Sequence, residues 1–207
     1  MSVKLSILML VWNTADYVIK ALDSIPRRND IEVLVDDNAS TDNSLALIQQ
    51  YQKDNPELNM TVFARKEESG FSKSLNRLMD LASGEYYHTL DSDDFLYTEE
   101  YNRVVDMIDG EYDVYFINLK INNGDILVVD HTSSAYPVSN TTRLVRKSFV
   151  EGLRHREDRT YDADWFFNQD LLARKPKCKY TGITAYHYNY PREGSAMDLH
   201  YKSIGEK

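Results

Sequence analysis

A single cysteine, Cys178, occurs in the 207 residues. No internal disulfide can form, and a lone thiol fits a reducing, cytoplasmic setting. No run approaches the roughly 20 apolar residues that a membrane-spanning helix needs, so no integral membrane segment is expected; peripheral attachment at the inner membrane face stays open. The opening MSVKLSILMLVWN pairs a lysine with an apolar run. The run alternates like a strand, and no small-residue cleavage site follows, which argues against a secretory signal. Basic residues are few, 24 Lys and Arg against 33 Asp and Glu, for a formal net charge of −9. A duplex nucleic-acid binder carries a basic footprint, so nucleic acid is not an expected partner. Glycine-rich phosphate loops are missing too: neither GxxxxGK[ST] nor GxGxxG occurs, which excludes a P-loop and a dinucleotide fingerprint. An acidic chain that binds a phosphorylated ligand must therefore cancel charge locally, with a metal, a helix N-terminus or a few placed Arg and Lys.

What is present is enough for one compact domain: 42% hydrophobic and 12% aromatic residues over a length that suits a single core. The first half alternates strands and helices. VKLSILMLV (3–11), IEVLV (31–35), MTVFA (60–64) and YYHTL (86–90) read as strands. Helices are predicted over about Asp16–Ser24, Ser44–Lys53, an amphipathic segment stopped by Gly84, and Thr98–Ile108. Repeated strand–helix units with apolar strands predict an α/β fold, a mostly parallel sheet flanked by helices. After residue 110 the pattern changes to a hairpin around Asn123-Gly124, a polar loop at 132–142, a strand or short helix near 143–151, and a helix in ADWFFNQDLLAR. The last stretch, AYHYNYPREGSAMDLHYKS, shows no clean periodicity.

Open parallel sheets bind ligands at the carboxyl ends of their strands, and two acidic groups fall there. Asp36-Asp37 follow the second strand, and Asp91, Asp93 and Asp94 follow the fourth. Asp42 and Asn43 suit a turn and helix cap, which does not account for two consecutive acids at a strand end. In LDSDD a solvated capping loop is the plain alternative, but Thr98 with Glu99-Glu100 is expected to cap the next helix, leaving the earlier acids surplus. A calcium EF-hand fails, because its sixth loop position would be Leu96 and its twelfth Asn102. A divalent cation, Mn2+ or Mg2+, held by one or two carboxylates and completed by substrate phosphates remains.

These segments together resemble the family 2 glycosyltransferases. SILMLVWN, VLVDDNASTDNS, SGFSKSLN and LDSDD match, in order, the family's first strand, its Val-Asp-Asp-Gly-Ser-Thr-Asp segment, its Gly-Leu-Ser-x-Ala-Arg-Asn segment and its Asp-x-Asp motif. Leu10 replaces a proline, and Leu75 replaces the arginine. The resemblance implies a GT-A fold, with residues 1–110 as the nucleotide-sugar half and 111–207 as the acceptor half. It implies a donor, UDP-linked in expectation, held by Val11, Trp12, Asn13, Asp37, Gly70, Asp91 and Ser92. Lys73 is either a phosphate contact or a solvent-facing helix residue. Asp93 would reach the metal, with His187 as a further ligand or a structural histidine. In HYNYPREGSAM, Arg192 and Ser195 would contact the diphosphate from a closing loop.

YDADWFFNQDL resembles the family's Glu-Asp helix start, with Ala163 where Glu often stands. The resemblance makes Asp164 the general base of an inverting transfer, with Asp162 as the second candidate, and Trp165 an acceptor contact. A saccharide, a lipid-linked sugar or another hydroxyl compound would serve as acceptor. The sequence runs 12 residues past Ser195, which suggests a minimal enzyme with a small acceptor, or one that relies on a partner or a homo-oligomer. Two other readings remain: a non-catalytic nucleotide-sugar binder, and a sugar nucleotidyltransferase, whose Gly-rich basic N-terminal loop is absent from VWNTADY.

Overall fold

The computed structural model describes residues 2–130, 139–158, 162–194 and 202. Its centre is a parallel ladder. Strand β1 (Leu5–Val11) lies between β2 (Ile31–Asp37) and β4 (Tyr86–Thr89), and β3 (Met60–Ala64) extends the far side of β2. β1 and β2 are buried along nearly their whole length, which is why they read as unbroken apolar runs. The connecting helices are α1 (Val18–Asp23), α2 (Ser44–Asp54) and α3 (Phe71–Leu81).

Beyond β4 the same sheet continues with mixed directions. β5 (Phe95–Leu96), α4 (Thr98–Asp106), β6 (Val114–Ile121) and the short β7 (Ile126–Leu127) come next in the chain. β8 (Arg143–Arg146), α5 (Ala163–Ala173) and β9 (Cys178–Tyr188) complete it, with short 3-10 turns at Asn140–Thr142 and Lys147–Val150. The spatial order is β3-β2-β1-β4-β8-β6-β9-β5, with β7 on β6. β8 runs antiparallel to both β4 and β6, and β9 runs parallel to β6. The expected parallel sheet therefore fills the first half, and the second half is mixed. Segment 143–151 holds both forms expected of it, a strand and then a 3-10 turn.

Strand alternation divides the core into two layers. Leu5, Ile7 and Met9 face Leu22, Ile48, Tyr101 and Val104 from α1, α2 and α4. Leu8 and Leu34 face Leu75, Leu78 and Met79 of α3 and Phe167 and Leu171 of α5. Each such aliphatic side chain, fully buried, contributes about 1.5–3 kcal/mol. Leu75 is 1% exposed, so the position where the family carries an arginine here belongs to the core.

Gly84 makes the tight entry into β4. A Cβ there would lie 2.7 Å from the Ser6 backbone nitrogen, closer than packed atoms allow. Thr98 does not cap α4 as expected. Its hydroxyl donates to Ser24 O (2.9 Å), and the N-cap position falls to Tyr97 without a side-chain hydrogen bond. The chain order reverses at β1, with β2 and β3 on one side and β4 on the other, and doubly wound sheets place their ligand crevice at such a point, at the carboxyl ends of the strands.

Candidate active site

Three segments meet over that crevice. The turn after β1 is anchored by Asn13, whose φ of 53° lies in the left-handed region that asparagine tolerates. Asn13 Oδ1 accepts from Thr41 N (2.8 Å), and Ser40 Oγ accepts from Asn13 N (3.0 Å). Asn13 thus holds the β2–α2 loop. Asp42, also in that loop, accepts from Ala15 N and Ser44 N, the turn role expected of it. Asn38 joins the third segment, its Oδ1 accepting from Ser69 N (2.9 Å) just before Gly70, whose φ is 80°. Thr14 donates to Ser92 Oγ at 2.9 Å, so Ser92 ties the acidic turn after β4 to the turn after β1.

The two consecutive acids of β2 divide sharply. Asp36, fully buried, is neutralised by Arg65 (2.8 Å) and Arg77 (3.3 Å). Asp37, 1% exposed, accepts from Ser40 N through Oδ2, while its Oδ1 is buried with no partner among the described residues. An unpaired buried carboxylate oxygen is costly, and a ligand N–H would relieve it. Trp12 is 45% exposed at the same strand ends. Val11 does not line the crevice as the resemblance implied, because its side chain is fully buried in the core. Lys73 is exposed on α3.

The acidic turn is a like-charge cluster with distinct duties. Asp94 is buried and saturated, accepting from Tyr186 OH (2.6 Å) and Asn189 N (2.8 Å). Burial and the Asp93 charge push its carboxyl above the usual range. Asp91 is pushed well above it by burial, then by the charges of Asp94, Asp93 and Asp164. No hydrogen bond reaches the Asp91 carboxylate among the described residues. Asp93 pairs with Arg192 Nε at 2.7 Å, which joins two residues expected at the diphosphate.

His187 stacks on Phe95 at 4.2 Å, with Tyr97 OH on Nδ1 (3.0 Å) and Asn122 Oδ1 on Nε2 (2.9 Å). Both ring nitrogens are engaged, so a ligand role would need one of these bonds released. No group of three or more His, Cys, Asp or Glu side chains suited to a metal converges among the described residues. The hard oxygens of Asp93 fit a Mn2+ or Mg2+ ion completed by phosphate oxygens rather than an all-protein cage. Ser195 lies outside the described residues.

Facing the acids is the first turn of α5. Asp164 accepts from Asn140 twice, at Oδ2 from the backbone N–H (3.1 Å) and at Oδ1 from Nδ2 (2.5 Å). Arg143, 2% exposed, donates in turn to Asn140 Oδ1 and to Ser139 O (3.0 Å). Burial raises the Asp164 carboxyl, while the Arg143 charge and the Asn140 bonds oppose the rise. Its side chain keeps 29% of its surface exposed, so it is both positioned and reachable. Asp162 occupies the N-cap of α5 without a side-chain cap bond. Trp165 is 46% exposed and meets Phe166 edge-to-face at 4.8 Å. Asn140, Arg143 and Tyr186 carried no signal in the sequence, since a polar loop and an aperiodic tail do not announce buried partners.

The profile described as "Glycosyl transferase family 2" matches residues 6–170. The chain belongs to that family. Among family relatives, TarS of Staphylococcus aureus, named a poly(ribitol-phosphate) beta-N-acetylglucosaminyltransferase, is 26% identical over 97% of this chain and 38% of its own length. A poly(ribitol-phosphate) beta-glucosyltransferase of Bacillus spizizenii is 32% identical over 96% of this chain and 34% of its own length. The chain thus spans little more than a third of these curated relatives. The crystal structure of S. aureus TarS 1-349 in complex with UDP-GlcNAc shares the fold, with a TM-score of 0.78 at 23% identity over 94% of this chain and 60% of that one. A mannosyltransferase from Pyrobaculum calidifontis in complex with GDP-Man and Mn2+ superposes with a TM-score of 0.70 at 16% identity, over 94% of this chain and 59% of that one. No helix among the described residues is long and apolar enough to cross a membrane.

Proposed function

We propose that this chain is a metal-dependent, inverting glycosyltransferase that moves a sugar from a nucleotide-sugar, UDP-linked, to an acceptor hydroxyl. The observation that carries this reading is that Asp164, held by Asn140 and still partly exposed, lies within electrostatic reach of Asp91. A base thus stands opposite a cluster suited to a nucleoside diphosphate. Asp37 Oδ1 accepts the imide N–H of the base, and Trp12 covers it. Asp91 and Ser92 position the ribose and sugar, with Asn13 and Gly70 shaping the turns around them. Arg192 moves from Asp93 to the diphosphate.

Asp93 would hold a Mn2+ or Mg2+ ion, which would supply Lewis-acid neutralisation of the leaving diphosphate. The acceptor oxygen attacks the anomeric carbon in line. As that bond forms, the bond to the diphosphate oxygen breaks, and Asp164 takes the hydroxyl proton. Trp165 offers an apolar face to the acceptor sugar or polyol. The relatives' names point to a poly(ribitol-phosphate)-like polymer as the acceptor class.

The test is a panel of nucleotide-sugars with Mn2+ or Mg2+, read as released nucleotide with and without acceptor. Asp93→Asn should abolish metal-dependent UDP binding, and Asp164→Asn should keep donor binding while losing transfer. Unchanged UDP affinity with Mn2+ in the first variant would refute the metal assignment. Near-normal turnover in the second would refute the base.

A further inference from the structure

We propose that His155 is a positioning residue for Asp164, its Nδ1 accepting a hydrogen bond from the carboxyl group once that group has taken the acceptor's proton. The proposal rests on Asp164 being the base. His155 is 2% exposed, and its ring is fixed from several sides. It stacks on Phe167 at 4.2 Å and meets Phe71 edge-to-face at 6.4 Å. Asn76 clamps its backbone, accepting from His155 N (2.8 Å) and donating to His155 O (2.9 Å).

The backbone at Ala163 favours the charged form of the ring, which suits a ring N–H turned toward a backbone carbonyl. Nδ1 has no partner among the described residues. With the proton on Nε2, Nδ1 presents a lone pair 4.0 Å from Asp164 Oδ1. That gap is too long for a direct hydrogen bond. Two acceptors facing each other across 4.0 Å gain nothing while Asp164 is ionised. A proton on Oδ1 turns the pair into donor and acceptor, and a carboxyl shift of about 1 Å closes the bond.

The charged and titratable groups around the pair are few. Arg143, from β8, acts on both residues, and Asp91, after β4, interacts with Asp164. Glu157 reaches Asn76 Nδ2 at 3.5 Å. Asp162 precedes the pair on α5, and Arg156 points away, lying over Phe166 and 3.8 Å from Asp170. Burial and the Arg143 charge keep the imidazole neutral at working pH, so the proton stays on Asp164 and the ring only accepts. The two neighbours thus have opposite preferences. Asn140 donates to the carboxylate and favours its ionised form, whereas His155 favours the acid form reached during transfer. An interaction made as the proton arrives raises kcat rather than donor affinity.

The test needs no identified acceptor. Aspartate 13C-carboxyl NMR follows the Asp164 titration, with Asp164→Asn identifying the resonance. His155→Phe keeps the ring stack on Phe167 and removes the acceptor; it should lower the Asp164 midpoint by about one pH unit. His155→Asn, which keeps an acceptor near the Nδ1 position, should recover part of that change. In the wild-type protein the 15Nδ1 signal of His155 should be that of an unprotonated nitrogen and should move with the Asp164 midpoint. An unmoved midpoint in His155→Phe, or a protonated Nδ1, overturns the proposal. In transfer assays His155→Phe should lose about tenfold in kcat with donor KM within twofold. Full turnover by Asp164→Asn would instead remove the base itself, a different result from an unmoved midpoint.

Discussion

Acid should unfold this protein partly through one histidine, and the size of the effect follows from its surroundings. His88 lies inside β4, fully buried, with Nε2 2.9 Å from Thr141 O and Nδ1 2.7 Å from Tyr101 OH. The carbonyl accepts, so Nε2 carries the proton, and Nδ1 accepts from the tyrosine. The ring is satisfied when neutral, and burial pushes its pKa down to about 4 from an ordinary 6.5. As pH falls below 6.5 the unfolded chain takes up a proton that the folded chain refuses. The folded state therefore loses stability from pH 6.5 down to about 4 and keeps its full value above 6.5.

The gap of about 2.5 pH units, at about 1.4 kcal/mol each, amounts to ~3 kcal/mol, a large share of a typical domain's 5–15 kcal/mol. Asp91, Asp94 and Asp164 work the other way. Their raised carboxyls bind protons more readily when folded, so they favour folding as pH drops. The comparison must therefore be with His88→Gln, which can reach both partners but does not titrate. Urea unfolding at pH 7.5, 6.0 and 4.5 should show wild type ahead at pH 7.5 and its lead shrinking by roughly 2–3 kcal/mol at pH 4.5. A lead constant to within about 0.5 kcal/mol would show that His88 is not held neutral, and the reasoning would fail. Activity should fall in step with stability, because Thr141 sits in the turn that carries Asn140 and thereby Asp164.

Two further substitutions test the supports of the site. Asn140→Ala removes the side-chain bond to Asp164 and the acceptor of Arg143; kcat should fall about 10–100-fold with nucleotide affinity unchanged, measured by paired kinetics and titration calorimetry. Gly84→Ala places a methyl group against the Ser6 backbone and should cost about 1–3 kcal/mol in urea unfolding, with no selective effect on KM.

The parallel half of the fold was open to reading because β1, β2 and β4 bury both faces and each helix buries one. Leu75, Leu78 and Met79 recur at helical spacing, and all three sit in the core. The second half obeys a less visible rule. β9 is partly exposed along much of its length, so Cys178–Tyr188 shows neither a continuous apolar run nor a clean alternation. Its bulges against β6 between Phe116 and Leu119 blur the pattern further. At the site, the carboxylates were visible as residue types at strand ends and at a helix start. Their divisions were not: that Asp36 is neutralised by arginines, that Asp94 is saturated by Tyr186 and Asn189, and that a buried arginine stands behind Asp164 are facts of long-range contact. His155 reads as one polar residue in the charged stretch RHRED, and only the packing of Phe71 and Phe167 around it reveals an enclosed ring.

Because β9 slots between β6 and β5, the acidic turn at residues 91–94 acquires its partners from residues about 95 positions later in the chain. During synthesis the parallel ladder can form early, yet Asp94 waits for Tyr186 and Asn189, which emerge from the ribosome well after it. Contacts so distant in sequence are slow to close. The acidic turn is therefore whole only once β9 has emerged, and a chain interrupted before Cys178 would hold a folded half carrying an acidic turn without its counterparts.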